Sequence, residues 1–107
     1  AIAKTYSMHI KNTTIVHPTI LPNTTPVWHQ YVIQCNARDQ LQHYLFDRGI
    51  STDIHYPIPP HHQPSLSIQN HSLPITESLS QKVLSLPCSS TIDTSEASHI
   101  SKIINQF

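Results

Sequence analysis

Residues 54–64 place three histidines and a tyrosine, His55, Tyr56, His61 and His62, among four prolines. Proline fixes φ at about −65°, lacks a backbone N–H and pushes the preceding residue toward an extended conformation. The stretch is therefore neither a regular helix nor a central strand, which leaves an ordered binding loop or a spacer. Imidazole and phenol groups can donate hydrogen bonds to a polar ligand or anchor the loop itself. A stiff loop that carries them would lose little conformational entropy on binding such a ligand.

The same histidines raise the question of a metal site, because His55, His61 and His62 could supply imidazole ligands. Adjacent residues of an extended segment point to opposite sides, and no carboxylate or thiolate has a suitable spacing to complete a tetrahedral set. We therefore predict no metal ligands in this chain. Five of the remaining six histidines are interpreted as surface or partly buried polar residues: His9, His17, His43, His71 and His99.

The elements that must position this loop alternate between helix and strand. Residues 1–9 are typical of the end of a helix, and the proline- and threonine-rich segment 10–26 of an edge strand flanked by turns. Trp28–Cys35 is rich in β-forming residues and predicts a buried central strand. A helix with Asn36 as its N-cap follows and stops at Gly49.

A further strand is predicted at 50–56, a loop at 65–72, and a third helix that starts at Pro74. The last helix should begin with a capping box formed by Asp93 and Glu96. The apolar residues expected to face the core are Ile75, Leu79 and Val83 in the third helix and Ile100, Ile103, Ile104 and Phe107 in the last. The predicted fold class is α+β, with a small antiparallel sheet of two to three strands covered by helices.

Composition indicates one small domain spanning 1–107 and excludes several functions. Lysine plus arginine and aspartate plus glutamate number six each, without a basic cluster, which argues against nucleic-acid binding. The sequence has neither a membrane-spanning apolar run nor a signal-peptide pattern, so we predict a cytoplasmic protein without membrane contact. Cys35 and Cys88 have no CxxC spacing, and we predict that both are free thiols.

Several ordered motifs resemble one known family. Residues 49–64 (GISTDIHYPIPPHHQP) look like the G-I-x-T-x-I-H-Y-P-x-P-x-H-x-Q-P run of the DegT/StrS-type, PLP-dependent nucleotide-sugar aminotransferases. Residues 27–33 are similar to that family's V-W-H-x-Y-V-I strand, 38–41 to its R-D-x-L helix start and 83–87 to its V-L-S-L-P element. The resemblance covers nearly the whole chain, but only about the last third of a family member.

The resemblance implies a fold and a set of binding residues. The chain should be the C-terminal small domain of a fold-type I PLP enzyme, whose proline-rich loop faces the substrate. His29, His55, Tyr56, His61 and Gln63 match polar positions of the motifs and are predicted to bind a nucleotide-diphosphate sugar. We predict no catalytic and no cofactor-binding residue within the chain.

The cofactor implied by the family is PLP, which needs a lysine for its Schiff base. No lysine of this chain stands in the family's cofactor-lysine context, so the large PLP-binding domain is expected to be missing and the chain alone inactive. The complete enzyme would be a homodimer that transfers an amino group, from glutamate, to a nucleotide-linked keto sugar. The lysines are Lys4, Lys11, Lys82 and Lys102.

The chain departs from the family pattern at Asp53, where a small residue is common, and at Pro60 and His62, where leucines flank the motif histidine. Two alternatives therefore stay open beside the aminotransferase domain. One is a free-standing nucleotide-sugar-binding module, and the other is an inactive, truncated remnant.

Overall fold

The computed structural model describes residues 1–66 and 71–107, so part of the predicted loop 65–72 lies outside the described residues. Within them the chain forms helices on a three-stranded antiparallel sheet, which confirms the predicted α+β class. None of the described helices combines the length and apolar character needed to cross a membrane. The helices are α1 (Ile2–His9), α2 (Arg38–Phe46), α3 (Pro74–Lys82) and α4 (Thr94–Asn105), and the strands are β1 (Ile15–Val16), β2 (Tyr31–Cys35) and β3 (Val83–Leu86).

The sheet is built around β2, which lies between β1 and β3 as the predicted central strand. Alternate residues of β2, namely Tyr31, Ile33 and Cys35, are buried because one face of the strand points into the core. Ile33 lies opposite Leu84 of β3 in the register. Successive side chains of a strand point to opposite faces, so Ser85 projects from the other side of the sheet.

Hydrogen bonds from two buried tyrosines connect the helical layer to the sheet and to the adjoining loops. The hydroxyl of Tyr6 on α1 donates to the carbonyl oxygen of Pro87 at 2.7 Å. The hydroxyl of Tyr31 lies 2.8 Å from Oγ of Ser7 and 2.9 Å from Nδ1 of His17. Both tyrosines thus bury an aromatic ring and keep a polar partner for its hydroxyl group.

The start of α4 confirms the predicted capping box. The backbone N–H of Glu96 donates to Oδ1 of Asp93, and the backbone N–H of Asp93 donates to Oε2 of Glu96, both at 2.8 Å. These two bonds satisfy backbone donors that a helix start leaves without intrahelical partners. Of the predicted apolar stripe, Ile100 and Ile104 are buried, Ile103 is partly buried and Phe107 is exposed.

Two predicted strands are much shorter than expected: prolines interrupt the first, and the second meets β3 only at Asp53 among the described residues. In the segment 10–26, which contains three prolines, pairing is limited to β1. The predicted strand 50–56 is wrong: within it Asp53 alone forms a bridge, exchanging backbone hydrogen bonds with Ser85 at 3.2 and 2.7 Å. The proline run that starts at Pro57 offers no sequence of N–H groups to extend the ladder.

The predicted N-cap of α2 was wrong by one residue. The carbonyl of Ala37 accepts the first helical hydrogen bond, from Leu41 at 2.9 Å, so Ala37 occupies the N-cap position. No side chain caps this helix start. Asn36 is exposed beside it.

The predicted third helix ends earlier than expected, because Val83 starts β3 instead of completing an apolar helical stripe. Nη1 of Arg38 donates to the carbonyl oxygens of Ser80 and Val83 at 2.9 and 3.2 Å, and so satisfies acceptors at the helix end. Ile75 and Leu79, which were predicted to face the core, are exposed on α3.

Candidate functional site

An open cavity of about 970 Å³ brings together residues from distant parts of the sequence. His29 precedes β2, His55 follows the Asp53 bridge, and Ser85 belongs to β3. Arg48 and His99 line the same cavity from the end of α2 and from α4. The cavity therefore offers imidazole donors, which can bind phosphate and hydroxyl oxygens. The guanidinium of Arg48 is stacked 3.5 Å from the ring centroid of Tyr44 and donates to the Tyr44 carbonyl.

The imidazole of His55 is held by two side chains. Its Nδ1 lies 2.9 Å from Oγ of Ser85 and 3.2 Å from Nε2 of Gln30. An amide nitrogen can only donate, so Nδ1 accepts and the ring proton resides on Nε2. Ser85 is itself fixed by its backbone bridge to Asp53. Nε2–H is therefore the donor that His55 retains for a ligand.

The structure places the other predicted binding residues outside this cavity. Tyr56 is 71% exposed, and its ring packs edge-on against the imidazole of the preceding residue. His61 is 3% exposed, and the side-chain amide of Gln63 donates to the carbonyl of Ile58 at 3.4 Å. Of the five predicted residues, the structure thus brings two, His29 and His55, into one cavity.

The predicted divergence of His61 and His62 is wrong. Both lie in a 3₁₀ turn, Pro60–His62, and their ring centroids are 4.2 Å apart. Successive side chains of a 3₁₀ turn are rotated by about 120°, not by the half-turn of an extended segment. Nε2 of His61 lies 2.8 Å from Oε1 of Glu77 on α3, and Nε2 of His62 lies 3.6 Å from the same oxygen. The structure thus supplies the carboxylate that spacing alone did not indicate.

Glu77 is oriented by more than the two imidazoles. The backbone N–H of Leu73 donates to its Oε1 at 3.1 Å. The hydrogen bond from His61, followed by that from Leu73, lowers the pKa of the Glu77 carboxyl below its ordinary value. The carboxylate is therefore ionised at neutral pH. Nδ1 of His61 is buried without a partner among the described residues, so the polar contacts of this ring are concentrated on Nε2.

Sequence reasoning missed the two side chains that hold His55. Ser85 lies between Leu84 and Leu86 in an otherwise apolar strand. A single polar residue at such a position indicates that its side chain faces away from the core. Nothing in the sequence around Gln30 indicated its role, because that role depends on the folded chain placing His55 beside it.

The cavity does not fit PLP by itself. Its lining among the described residues includes no lysine that could form a Schiff base. Lys4, Lys11 and Lys102 are exposed, and Lys82 lines a different cavity, beside Phe107. The Schiff-base chemistry of PLP therefore requires a lysine other than the residues that line this cavity.

Comparison with known proteins finds one consistent set of relatives. The profile of the DegT/DnrJ/EryC1/StrS aminotransferase family matches residues 1–105. The chain is 39% identical, over 99% of its own length and 30% of the relative's, to dTDP-3-amino-3,6-dideoxy-alpha-D-galactopyranose transaminase of Aneurinibacillus thermoaerophilus. It is 32% identical, over 87% of its length and 26% of the relative's, to UDP-2-acetamido-2-deoxy-3-oxo-D-glucuronate aminotransferase of Pseudomonas aeruginosa. The chain thus spans less than a third of each of these relatives.

Solved structures agree with the sequence comparison. The S. venezuelae protein DesV, solved in complex with a ketimine intermediate, superposes with a TM-score of 0.92 at 32% identity, over 98% of this chain and 29% of that one. A DegT DnrJ EryC1 StrS aminotransferase from Brucella abortus gives a TM-score of 0.86 at 29% identity, again over 98% and 29%. Sequence and fold together show that this chain belongs to the DegT/DnrJ/EryC1/StrS aminotransferase family.

Proposed function

We propose that this chain is the sugar-facing small domain, 1–107, of an aminotransferase that transfers an amino group, from glutamate, to a keto sugar carried on a nucleotide diphosphate. Family membership and the nucleotide-sugar names of the relatives support this reaction class. In this proposal the PLP cofactor and its lysine belong to a large domain outside the chain. The complete protein acts as a cytoplasmic homodimer.

The observation that carries the proposal is the geometry of His55. Gln30 and Ser85 approach Nδ1 of its ring, which leaves Nε2–H as a donor of defined orientation. His29 is exposed in the same cavity. In the proposed function these groups bind the pyrophosphate oxygens and sugar hydroxyls, and none of them moves a proton at the reacting carbon.

The remaining predicted binding residues, Tyr56, His61 and Gln63, belong to the wall around the cavity in this proposal. The exposed ring of Tyr56 can contact the ligand directly once a second domain closes the site. The buried His61 holds the loop through Glu77. Gln63 fixes the same loop through the carbonyl of Ile58.

Exposed apolar side chains support the assignment of a second domain. Leu73, Ile75 and Leu79, at and along α3, are 46%, 77% and 37% exposed. An apolar patch of this kind typically marks a contact surface. We propose that the large domain covers it in the complete protein.

In the complete protein, replacing His55 with alanine should lower kcat/KM for the nucleotide sugar by about tenfold, which corresponds to about 1.4 kcal/mol. The loss of one donor to a charged oxygen accounts for this magnitude. Steady-state kinetics with a dTDP-linked keto sugar measures it. The half-reaction with the amino donor should stay unchanged, since His55 binds only the sugar substrate.

His43→Ala is the matched control, because His43 is an exposed histidine on α2 that does not line the cavity. Equal kinetics for His55→Ala and the unmodified protein would remove the assignment of His55.

Calorimetric titration of the isolated chain with a dTDP-sugar tests the two alternatives, a free-standing binding module and a remnant. Binding by the bare chain, with no complete enzyme in the source, would favour a free-standing binding module; no binding and no complete enzyme would favour a remnant.

Replacing Ser85 with alanine should raise KM for the nucleotide sugar by about two- to tenfold and leave kcat nearly unchanged, because one neutral hydrogen bond contributes about 0.5–1.5 kcal/mol. Ser85 acts here as a positioning residue. Nitrogen-15 NMR of the imidazole checks the cause: the Nδ1 resonance of His55 should shift when the Ser85 hydroxyl is removed, while the ring proton stays on Nε2 because Gln30 still donates to Nδ1. A KM change with an unaltered Nδ1 resonance would assign Ser85 a different role.

A further inference from the structure

A cluster outside the proposed sugar site brings two imidazoles and a carboxylate together. One ring nitrogen each of His61 and His62 and a carboxylate oxygen of Glu77 all lie within 4.8 Å of one another. We propose that these three side chains bind a zinc ion, which clamps the proline-rich loop onto the start of α3.

The distances between the donor atoms are close to those that zinc requires. Zinc binds imidazole nitrogen at about 2.0–2.1 Å with tetrahedral geometry, which places neighbouring ligand atoms about 3.3 Å apart. The carboxylate oxygen lies 2.8 Å from Nε2 of His61 and 3.6 Å from Nε2 of His62. These two distances bracket the value of about 3.3 Å that a tetrahedral zinc site requires.

The donor set selects the class of metal. Two imidazoles and one carboxylate suit zinc and other divalent first-row transition metals, whereas calcium and magnesium take oxygen ligands. Three protein ligands leave the fourth tetrahedral position open to water. His62 and Glu77 are partly exposed, so the ion can reach the site from solvent.

The surroundings already orient the ligands. The backbone N–H of Leu73 holds the Glu77 carboxylate, which is the kind of outer-shell contact that metal-binding carboxylates have. His61 is 3% exposed, and the 3₁₀ turn fixes its backbone. Little backbone rearrangement is therefore needed when the ion binds. The ring proton that Nε2 of His61 donates to Glu77 moves to Nδ1 in the zinc-bound state, so that Nε2 can bind the ion.

The consequence for the fold is a link between two segments that are distant in sequence. His61 and Glu77 are 16 residues apart, and the part of the chain between them includes residues outside the described structure. An ion that binds only the folded state stabilises it according to its concentration relative to Kd. The clamp also holds the loop that carries Tyr56 beside the sugar cavity.

The test is a zinc titration of the metal-free, untagged chain by calorimetry, with cobalt as a spectroscopic substitute. We expect one zinc ion per chain and the intense visible absorption of tetrahedral cobalt. His62→Leu places an apolar residue at this exposed position and should weaken zinc binding at least about tenfold. Zinc should also raise the melting temperature of the unmodified chain and leave that of His62→Leu nearly unchanged.

His43→Leu is the matched control, since His43 is an exposed histidine outside the cluster and its variant should bind zinc like the unmodified chain. Glu77→Gln should weaken binding as His62→Leu does; if it fails to fold, His62→Leu carries the test alone. Zinc binding that His62→Leu leaves intact, or no binding at all, would overturn the proposal. Neither result would touch the sugar-site assignment, which is tested by His55→Ala.

Discussion

Replacing Leu45 with alanine should lower the free energy of unfolding of this chain by about 2–5 kcal/mol. Leu45 lies on α2 with no exposed surface, and α2 packs against both β2 and β3. The truncation removes buried methyl groups and leaves a cavity that the surrounding side chains fill only in part. Urea unfolding followed by far-UV circular dichroism measures the change as a lower transition midpoint at constant slope.

The neighbouring Phe46 provides the control within the same helix turn. It is a larger apolar residue, but 69% of it is exposed. Phe46→Ala should therefore change the free energy of unfolding by no more than about 0.5 kcal/mol. Equal losses for the two variants would mean that α2 packs on the sheet through a different face.

The parts of the fold that could be predicted from sequence are those fixed by local periodicity. The β-rich composition of Trp28–Cys35 predicted a buried central strand, and β2 lies within that range. Asp93 and Glu96 predicted the capping box of α4, since its bonds connect residues three apart. In both cases the interacting residues are close in sequence or belong to one element.

The predictions that were wrong depended on contacts between distant segments. The segment 50–56 has strand-like composition, but its pairing depends on the edge of β3, where only Asp53 forms the bridge to Ser85. Val83 fitted a helical spacing of four, yet pairing with β2 places it in β3. Whether such a segment forms a strand depends on the partner strand beside it, so local composition alone cannot predict its secondary structure.

Some residues of the candidate site could be predicted from the sequence, whereas the contacts that hold them in place could not. His29 and His55 were predicted as binding residues from a resemblance in sequence, and the fold brings them into one cavity. The supporting contacts of His55 with Gln30 and Ser85 span 25 and 30 residues, so only the folded chain reveals them. The contact between His61 and Glu77 escaped prediction for the same reason.

Stability should fall steeply at alkaline pH, because two tyrosines are buried in neutral form. Burial, followed by the charges of Cys88 and Glu96, raises the pKa of Tyr6 far above its ordinary value. Burial also raises the pKa of Tyr31, against the opposing hydrogen bond from Ser7. In the unfolded chain both hydroxyls lose their proton near pH 10, as exposed tyrosines do.

The direction in which the free energy of unfolding changes with pH follows from proton linkage. A group whose pKa is raised by folding contributes stability that is fully present below its unfolded pKa and is lost as pH rises through its folded pKa. Each tyrosine that is neutral in the folded state and ionised in the unfolded state lowers the free energy of unfolding by about 1.4 kcal/mol per pH unit above about pH 10. Tyr6 and Tyr31 together should give up to about twice that slope.

Tyr6→Phe isolates the contribution of one hydroxyl. At neutral pH the variant should be less stable by about 1–3 kcal/mol, because the carbonyl of Pro87 loses the partner that Tyr6 provides at 2.7 Å. Above about pH 10 the difference should shrink, since the variant has no phenol at this position to ionise. Tyr56→Phe is the control, because Tyr56 is 71% exposed and its removal should leave the pH profile unchanged. Urea unfolding at a series of pH values measures the free energy of unfolding of each variant. If the difference in this free energy between Tyr6→Phe and the unmodified chain stays constant with pH, the buried, neutral state of Tyr6 is contradicted.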